Sequence, residues 1–285
     1  MKLPPFDYAC PATLEEAVAL LGASDGLARP LAGGQSLIPL LAFRLAAPKL
    51  LVDLAKLPGL DRIETSAEGV RLGAMVRWRN IEDDPRLLTA HPLLVEAVRH
   101  VAHYQIRNRG TVGGSLAHAD PAAELPGIAV ACVASLSVAG PRGAREIPAD
   151  AFFLGPLATA LADDEIITHL HLPPWPPARR WAFEEFARRR GDFAIAGVAL
   201  FYDQDEAGRA LGAHVGVIGA DDRPRRLVEV EALLEGHVVD GATITAASRV
   251  AAASVAPTDD VHASAEYRRA LVATLTERAL RRASA

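Results

Sequence analysis

The sequence is poor in cysteine: Cys10 and Cys132 are all it has, far apart and without CxxC spacing. Neither a disulfide framework nor a cysteine-ligated iron–sulfur cluster or zinc ribbon can be built from this chain alone. The scarcity fits a reducing compartment. No unbroken apolar run approaches the length of a membrane span, and Met1 to Asp7 offers no apolar core of signal-peptide length. These readings predict a cytoplasmic chain that is not an integral membrane protein. A basic excess is missing too. Lys and Arg number 30 against 35 Asp and Glu, a formal net charge of -5, so there is no electrostatic basis for nucleic-acid binding. The local run Arg188 to Arg190 reads as a solvated strand end. Also absent are the G-x-G-x-x-G fingerprint after a strand and the G-x-x-x-x-G-K loop, which argues against a Rossmann or P-loop site.

What is present is a chain of 285 residues, half of them apolar, enough for about two domains. Thr13 to Glu16 form a capping box that starts a helix through Leu21, with Gly22 expected as its left-handed stop. Strands are expected at Ala28 to Ala32 and Leu50 to Leu54, with a short helix at Leu37 to Leu45 between them. A hairpin over Ile63 to Ala74 turns at Glu68 and Gly69. Leu94, Ala97, Val98 and Val101 share one face of a helix that Pro92 opens and that runs out near Tyr104. Pro126 to Val133 reads as a helix, Gly140 to Gly143 as a turn between two strands, and Glu165 to Leu172 as a strand. The run Pro173 to Pro177 cannot lie inside a helix or sheet and marks a domain boundary. Beyond it, strands at Trp181 to Ala187, Ala194 to Asp203 and Ala210 to Gly219 precede helices at Val228 to Leu234, Gly241 to Val255 and Ala265 to Arg282. The fold class is α+β: a larger domain over 1–175, in two parts of about 1–55 and 56–175, followed by a smaller α+β domain over 179–285.

Two stretches concentrate the chemistry. Leu31 to Leu37 contains Gly33, Gly34, Gln35 and Ser36; Gly110 to Leu125 contains Thr111, Gly113, Gly114, Ser115, His118, Asp120 and Glu124. Backbone amides bind a pyrophosphate only where no Cβ obstructs them, and glycine also permits positive φ. Successive amides then make an anion nest, and charge-assisted bonds of this kind are worth roughly 1.5–3 kcal/mol each. Ser36, Thr111 and Ser115 add hydroxyls, while Asp120 and Glu124 can accept from ribose or ribityl hydroxyls. The expectation is that both stretches, as loops, grip one phosphate-bearing cofactor. A single Gly pair is usually a turn; two flanked by small hydroxyl residues are harder to explain that way. Arg29 and Asp192 are weaker candidates. The pairs His100 with His103 and His169 with His171 lack a third ligand, so no metal site is expected.

Leu31 to Leu37, Gly110 to Pro121 and Arg190 to Ala196 together closely resemble the FAD-binding medium subunit of molybdenum hydroxylases, the group of aerobic carbon monoxide dehydrogenase, bacterial xanthine dehydrogenases and N-heterocycle dehydrogenases. The likeness covers essentially the whole chain. It implies a vanillyl-alcohol-oxidase-type FAD domain. Ala32, Gly33, Gly34, Gln35, Ser36 and Leu37, with Thr111, Val112, Gly113, Gly114 and Ser115, would hold the FAD diphosphate. His118, Asp120 and Glu124 would lie along the cofactor. Ile166 and Ile167 would border the isoalloxazine, with Phe193 beside it where tyrosine occurs in some members. Several relatives carry His at position 35 and Asn at 115. The likeness also implies a large partner subunit with the molybdenum cofactor, a small partner with two 2Fe–2S clusters, and a dimer of such heterotrimers. The external acceptor would be NAD, a quinone or another oxidant. A stand-alone FAD-dependent oxidase of the same fold is the alternative, disfavoured by the 5% aromatic content and the small C-terminal unit.

Overall fold

A computed structural model describes residues 2–285. The chain opens with a three-stranded parallel sheet in the order Asp7–Ala9, Leu50–Asp53, Ala28–Leu31. Parallel strands need a crossover, and the helix Leu14–Gly22 supplies the one between the two outer strands. Half of the expected capping box forms: the Glu16 amide donates to Thr13 Oγ1 at 3.2 Å, but the Glu16 carboxylate accepts from the Ala12 amide at 3.1 Å, one residue before the N-cap. Gly22 is not the left-handed stop; that conformation falls to Asp25 and Gly26, at φ 46° and 75°.

A five-stranded antiparallel sheet follows, ordered Ile63–Ser66, Gly69–Gly73, Ile166–Leu172, Ser135–Gly140, Gly143–Pro148. Its middle strand is the last in sequence, so the chain between residues 74 and 134 must leave the sheet and return. That excursion is helical. The helix beginning at Pro92 stops at Val98, and Tyr104–Arg107 is a separate turn. His91 fixes the start of that helix, its buried ring accepting from the Leu94 amide at 3.2 Å, and Ala102, at φ 41°, separates it from the later turn.

The C-terminal part is a four-stranded antiparallel sheet, Arg180–Phe186, Ala196–Gln204, Ala210–Ile218 and Arg225–Arg226, backed by helices Val228–Leu234, Gly241–Ser254 and Ala265–Ser284. One hydrophobic core lies between that sheet and these helices. The largest core crosses the proline run: Phe183, Ala199, Phe201 and Ile218 pack with Leu94, Ile128 and Leu136. Helix Glu124–Ala131 is buried on every side, as a helix packed between the C-terminal sheet and other helices must be. It lies so close to its neighbours that a Cβ on Gly127 would come within 2.4 Å of Ile218 Cγ2. No helix among the described residues is long and apolar enough to cross a membrane.

Candidate functional site

The strand Ala28–Leu31 ends at Gly33, and helix Leu37–Ala42 begins just beyond. A strand delivering the chain to a helix start leaves amides that neither element uses. Here the amides of Gly33, Gly34, Gln35, Ser36 and Leu37 have no protein acceptor among the described residues. Gly34 sits at φ 73°. Gln35 braces the bend through Nε2, which donates to the Gly33 carbonyl at 3.1 Å. Ser36 precedes the helix but its side chain makes no capping bond, which leaves the hydroxyl for another partner.

The second stretch is built differently. It is not a loop over Gly110 to Leu125: Val112–His118 is helical, and Ala119 ends it at φ 50°. Thr111 is the N-cap, its Oγ1 accepting from the Gly114 amide at 3.1 Å. The amides of Val112, Gly113 and Ser115 donate to the carbonyls of Val76, Ala74 and Thr111 at 2.9, 2.8 and 3.0 Å. These four amides are therefore spent inside the protein. The glycines here answer to packing. A Cβ on Gly113 would lie 2.6 Å from Ala74 Cβ, and one on Gly33 would lie 2.1 Å from the Arg109 carbonyl oxygen. Gly33 thus seats the first loop directly on the backbone that leads into the second stretch.

Between them runs a cleft of about 540 Å³, within the range that small-molecule and cofactor sites occupy. Ala32, Gly33, Gly34, Gln35, Ser36, Leu37, Thr111, Gly113, Gly114, Ser115, His118, Asp120, Glu124, Ile166, Ile167 and Phe193 all line it. Val112 does not; its side chain is wholly buried in the main core, where it contributes roughly 1.5–3 kcal/mol to stability rather than to binding. Ile166 and Ile167 open the central strand just before a bulge that ends at His169. Phe193 stands at the edge, 65% exposed. Asp120 Oδ1 accepts from the Ala122 amide at 2.9 Å. Burial pushes the Glu124 carboxyl up to about 7, and neighbouring Asp120 adds to that. Across the domain boundary, burial first and Glu124 second push Glu185 up to about 8.

Several wall residues carried no sequence signal for this site: Ala74, Trp78, Ile106 and Leu161, with His103 weighed only as a metal ligand. They come from segments with no glycine or hydroxyl pattern. Only the close approach of the Trp78 indole to Gly110, where a Cβ would meet Nε1 at 2.7 Å, marks one of them. Arg29 lines the cleft, but its Nη1 already donates to the Gly26 and Ala28 carbonyls at 3.0 and 2.9 Å and faces Asp163 at 3.3 Å. Asp192 is also in the wall. His100 lies against Phe183, and His169 lies beside Arg71. No group of three or more His, Cys, Asp or Glu among the described residues could hold a metal ion.

Five consecutive unpartnered amides, a free serine hydroxyl and a long apolar-walled cleft suit a ligand with a diphosphate at one part and a flat apolar body at another. That donor set fits FAD. Residues 4–175 match the family model described as the FAD binding domain in molybdopterin dehydrogenase, and residues 181–283 match the CO dehydrogenase flavoprotein C-terminal domain. The chain belongs to the family of FAD-binding medium subunits of molybdenum hydroxylases, and is an oxidoreductase subunit. Among its relatives, the nicotine 6-hydroxylase medium subunit of Paenarthrobacter nicotinovorans is 42% identical, covering 100% of this chain and 99% of that one. The carbon monoxide dehydrogenase medium chain of Hydrogenophaga pseudoflava is 34% identical over 97% of this chain and 96% of its own length. Solved structures agree. Carbon monoxide dehydrogenase from Hydrogenophaga pseudoflava superposes with a TM-score of 0.96 at 35% identity, covering 99% of this chain and 98% of that chain. Quinoline 2-oxidoreductase from Pseudomonas putida 86 gives 0.94 at 38% identity, with coverage of 100% and 98%.

Proposed function

We propose that this chain is the FAD-carrying electron-transfer subunit of a molybdenum hydroxylase complex. The observation that carries the reading is the row of free amides from Gly33 to Leu37, facing a cleft walled by the second stretch. These amides and the Ser36 hydroxyl hold the diphosphate from one side. Thr111 and Ser115 donate hydroxyl hydrogens from the other, while Gly114 keeps that side low. Asp120 and Glu124 accept from the sugar hydroxyls; Glu124, its carboxyl pushed up to about 7 by burial, can also donate when protonated. His118 lies along the same edge. Ile166 and Ile167 give the ring system a dry apolar face, and Phe193 screens its outer side. Bound FAD supplies the switch between one-electron donors and a two-electron acceptor. This chain's own residues bind it, orient it and limit water around it.

The scarcity of cysteine requires the clusters to come from elsewhere, which supports a small partner subunit with two 2Fe–2S clusters. A large partner subunit with the molybdenum cofactor then performs the substrate chemistry. The assembly is a dimer of heterotrimers in the cytoplasm, passing electrons to NAD, a quinone or another external acceptor. Relatives named for nicotine and quinoline support an N-heterocyclic substrate for the complex. Affinity purification of the tagged chain with its genomic neighbours tests the proposal. The expected result is a three-chain complex with one FAD per medium subunit, its flavin bleached by an N-heterocycle. A chain that purifies alone and oxidises a substrate by itself would overturn it.

A further inference from the structure

Arg268, in the first turns of the C-terminal helix Ala265–Ser284, is buried although its chain neighbours are exposed. A buried guanidinium has to be fully engaged. Its Nη1 donates to the carbonyls of Ile195 and Gly219, both at 2.6 Å, and its Nη2 to Asp260 Oδ2 at 2.6 Å. Asp260 is itself tied down. Burial pushes its carboxyl up, but the Ala263 and His262 amides and Arg268 prevail and hold it at about 2.

The Ile195 carbonyl adjoins a segment that lines the cleft, Gly191 to Phe193. Ile195 lies two residues beyond Phe193, and its amide donates to the Phe186 carbonyl at 2.8 Å. At the other end of that short segment is Gly191, at φ 87°, so close to helix-flanking residues that a Cβ would meet His103 Nδ1 at 2.5 Å. Gly219, at φ 70°, has no room for a side chain, since a Cβ would lie 2.9 Å from the Ala194 and Ile195 carbonyl oxygens, and its amide donates to the Pro121 carbonyl at 2.9 Å. Pro121 follows Asp120. One guanidinium thus joins the backbone under Phe193 to Gly219, and the Gly219 amide carries the link on to Pro121, beside Asp120.

We infer that Arg268 is a positioning residue: it locks residues 191–195 so that Phe193 stays at the edge of the cleft, and thereby sets how open the bound cofactor is to solvent and acceptor. The inference about the lock rests on geometry alone; its consequence for the cofactor rests on the FAD reading above. Charge-assisted bonds of this kind are each worth a factor of about ten or more in an equilibrium, so their loss should release the segment selectively.

The test uses the full chain in two states. In FAD-free protein, hydrogen exchange at the Ala194 and Ile195 amides should quicken about tenfold or more in Arg268→Met. It should quicken less in Arg268→Lys, and exchange in the five-stranded sheet should stay as it was. In FAD-loaded protein, iodide should quench flavin fluorescence more strongly in Arg268→Met, as in Phe193→Ala. The double variant should be no worse than Phe193→Ala. Where Arg268→Met does not fold, Asp260→Asn loosens the same lock and should give the same pattern at smaller amplitude. Unchanged exchange at 194–195, or quenching that adds up in the double variant, would overturn the inference. The exchange result stands whether or not FAD binds, so its failure is distinct from failure of the FAD reading, which would show as a wild-type chain without flavin.

Discussion

Replacing Gly33 with alanine adds one methyl group where the structure has no room for it. The new Cβ would lie 2.1 Å from the Arg109 carbonyl oxygen, 2.8 Å from its carbonyl carbon and 3.0 Å from Gly110 Cα. All three obstacles are backbone, so no side chain can rotate out of the way. Overpacking of this kind costs about 1–3 kcal/mol, and an unyielding neighbour puts Gly33 at about 3. For a chain of this size each kcal/mol moves the thermal midpoint by about 2–4 °C, so the loss should be about 6–12 °C. The control is Gly114→Ala. Its Cβ would meet a side-chain atom, Thr111 Oγ1, at 2.9 Å, and then Ala32 Cβ at 3.7 Å. Displacing that cap costs about 1 kcal/mol, while alanine gains about 1 kcal/mol over glycine inside a helix. The two offset, and the midpoint should barely move. Thermal unfolding followed by circular dichroism on FAD-free protein reads both, and FAD titration should show weakened binding in Gly33→Ala. A Gly33→Ala midpoint within about 2 °C of wild type would refute the reasoning, because the two stretches could not then be touching where the structure puts them.

Ser36→Ala and Ser115→Ala should each weaken FAD binding by roughly 10- to 100-fold, the worth of a hydrogen bond to a charged group; an unchanged Kd by fluorescence titration removes that hydroxyl from the diphosphate. Burial holds His91 down to about 3, from an ordinary 6.5. The unfolded chain therefore binds the extra proton first, and stability should drain away as pH falls from 6.5 toward 3. Urea unfolding at successive pH values should show a shallower acid loss in His91→Gln; an identical slope would clear His91 of that role. Glu185 is shifted the opposite way, from 4.5 up to about 8 by burial and by Glu124. The folded state then holds the proton longer, and stability should fall as pH rises from about 4.5 to about 8. Glu185→Gln should flatten that alkaline limb, and a wild-type-like limb would count against the buried pair.

Local order was legible wherever it depended on near neighbours. The N-cap at Thr13, the hairpin over Ile63–Gly73, the turn at residues 140–143 and the three C-terminal strands and helices all follow from spacing within a few residues. Of the residues singled out in the two stretches, all but Val112 line the cleft, because glycines and hydroxyls in sequence bring small, polar backbone together. What failed depended on partners far away. The Gly110 to Leu125 stretch reads as a loop because its glycines are poor helix formers. It becomes a helix because Ala74, Val76 and Thr111 satisfy its first amides. Trp78, His103 and Leu161 reach the cleft through tertiary packing that no local pattern encodes.

The two glycine pairs look alike in sequence but do opposite work. Around Gly34 the chain leaves five amides unpaired and bends through positive φ, so this side can grip a ligand by donating to it. Around Gly113 every amide is already taken, and the absent Cβ only lets the helix sit against Ala74. The second side therefore contributes shape and two hydroxyls rather than an amide nest. Gly33 joins the two roles, since it lies on the donor side yet is demanded by the contact with Arg109. Substitutions should divide along this line. Losing a donor costs affinity and leaves the FAD-free fold intact, as at Ser36. Losing the close fit at Gly33 or Gly113 costs the fold first, and affinity only as a consequence. A nest on both sides would instead make Gly113 variants lose FAD at full apoprotein stability, and that single result would separate the two designs.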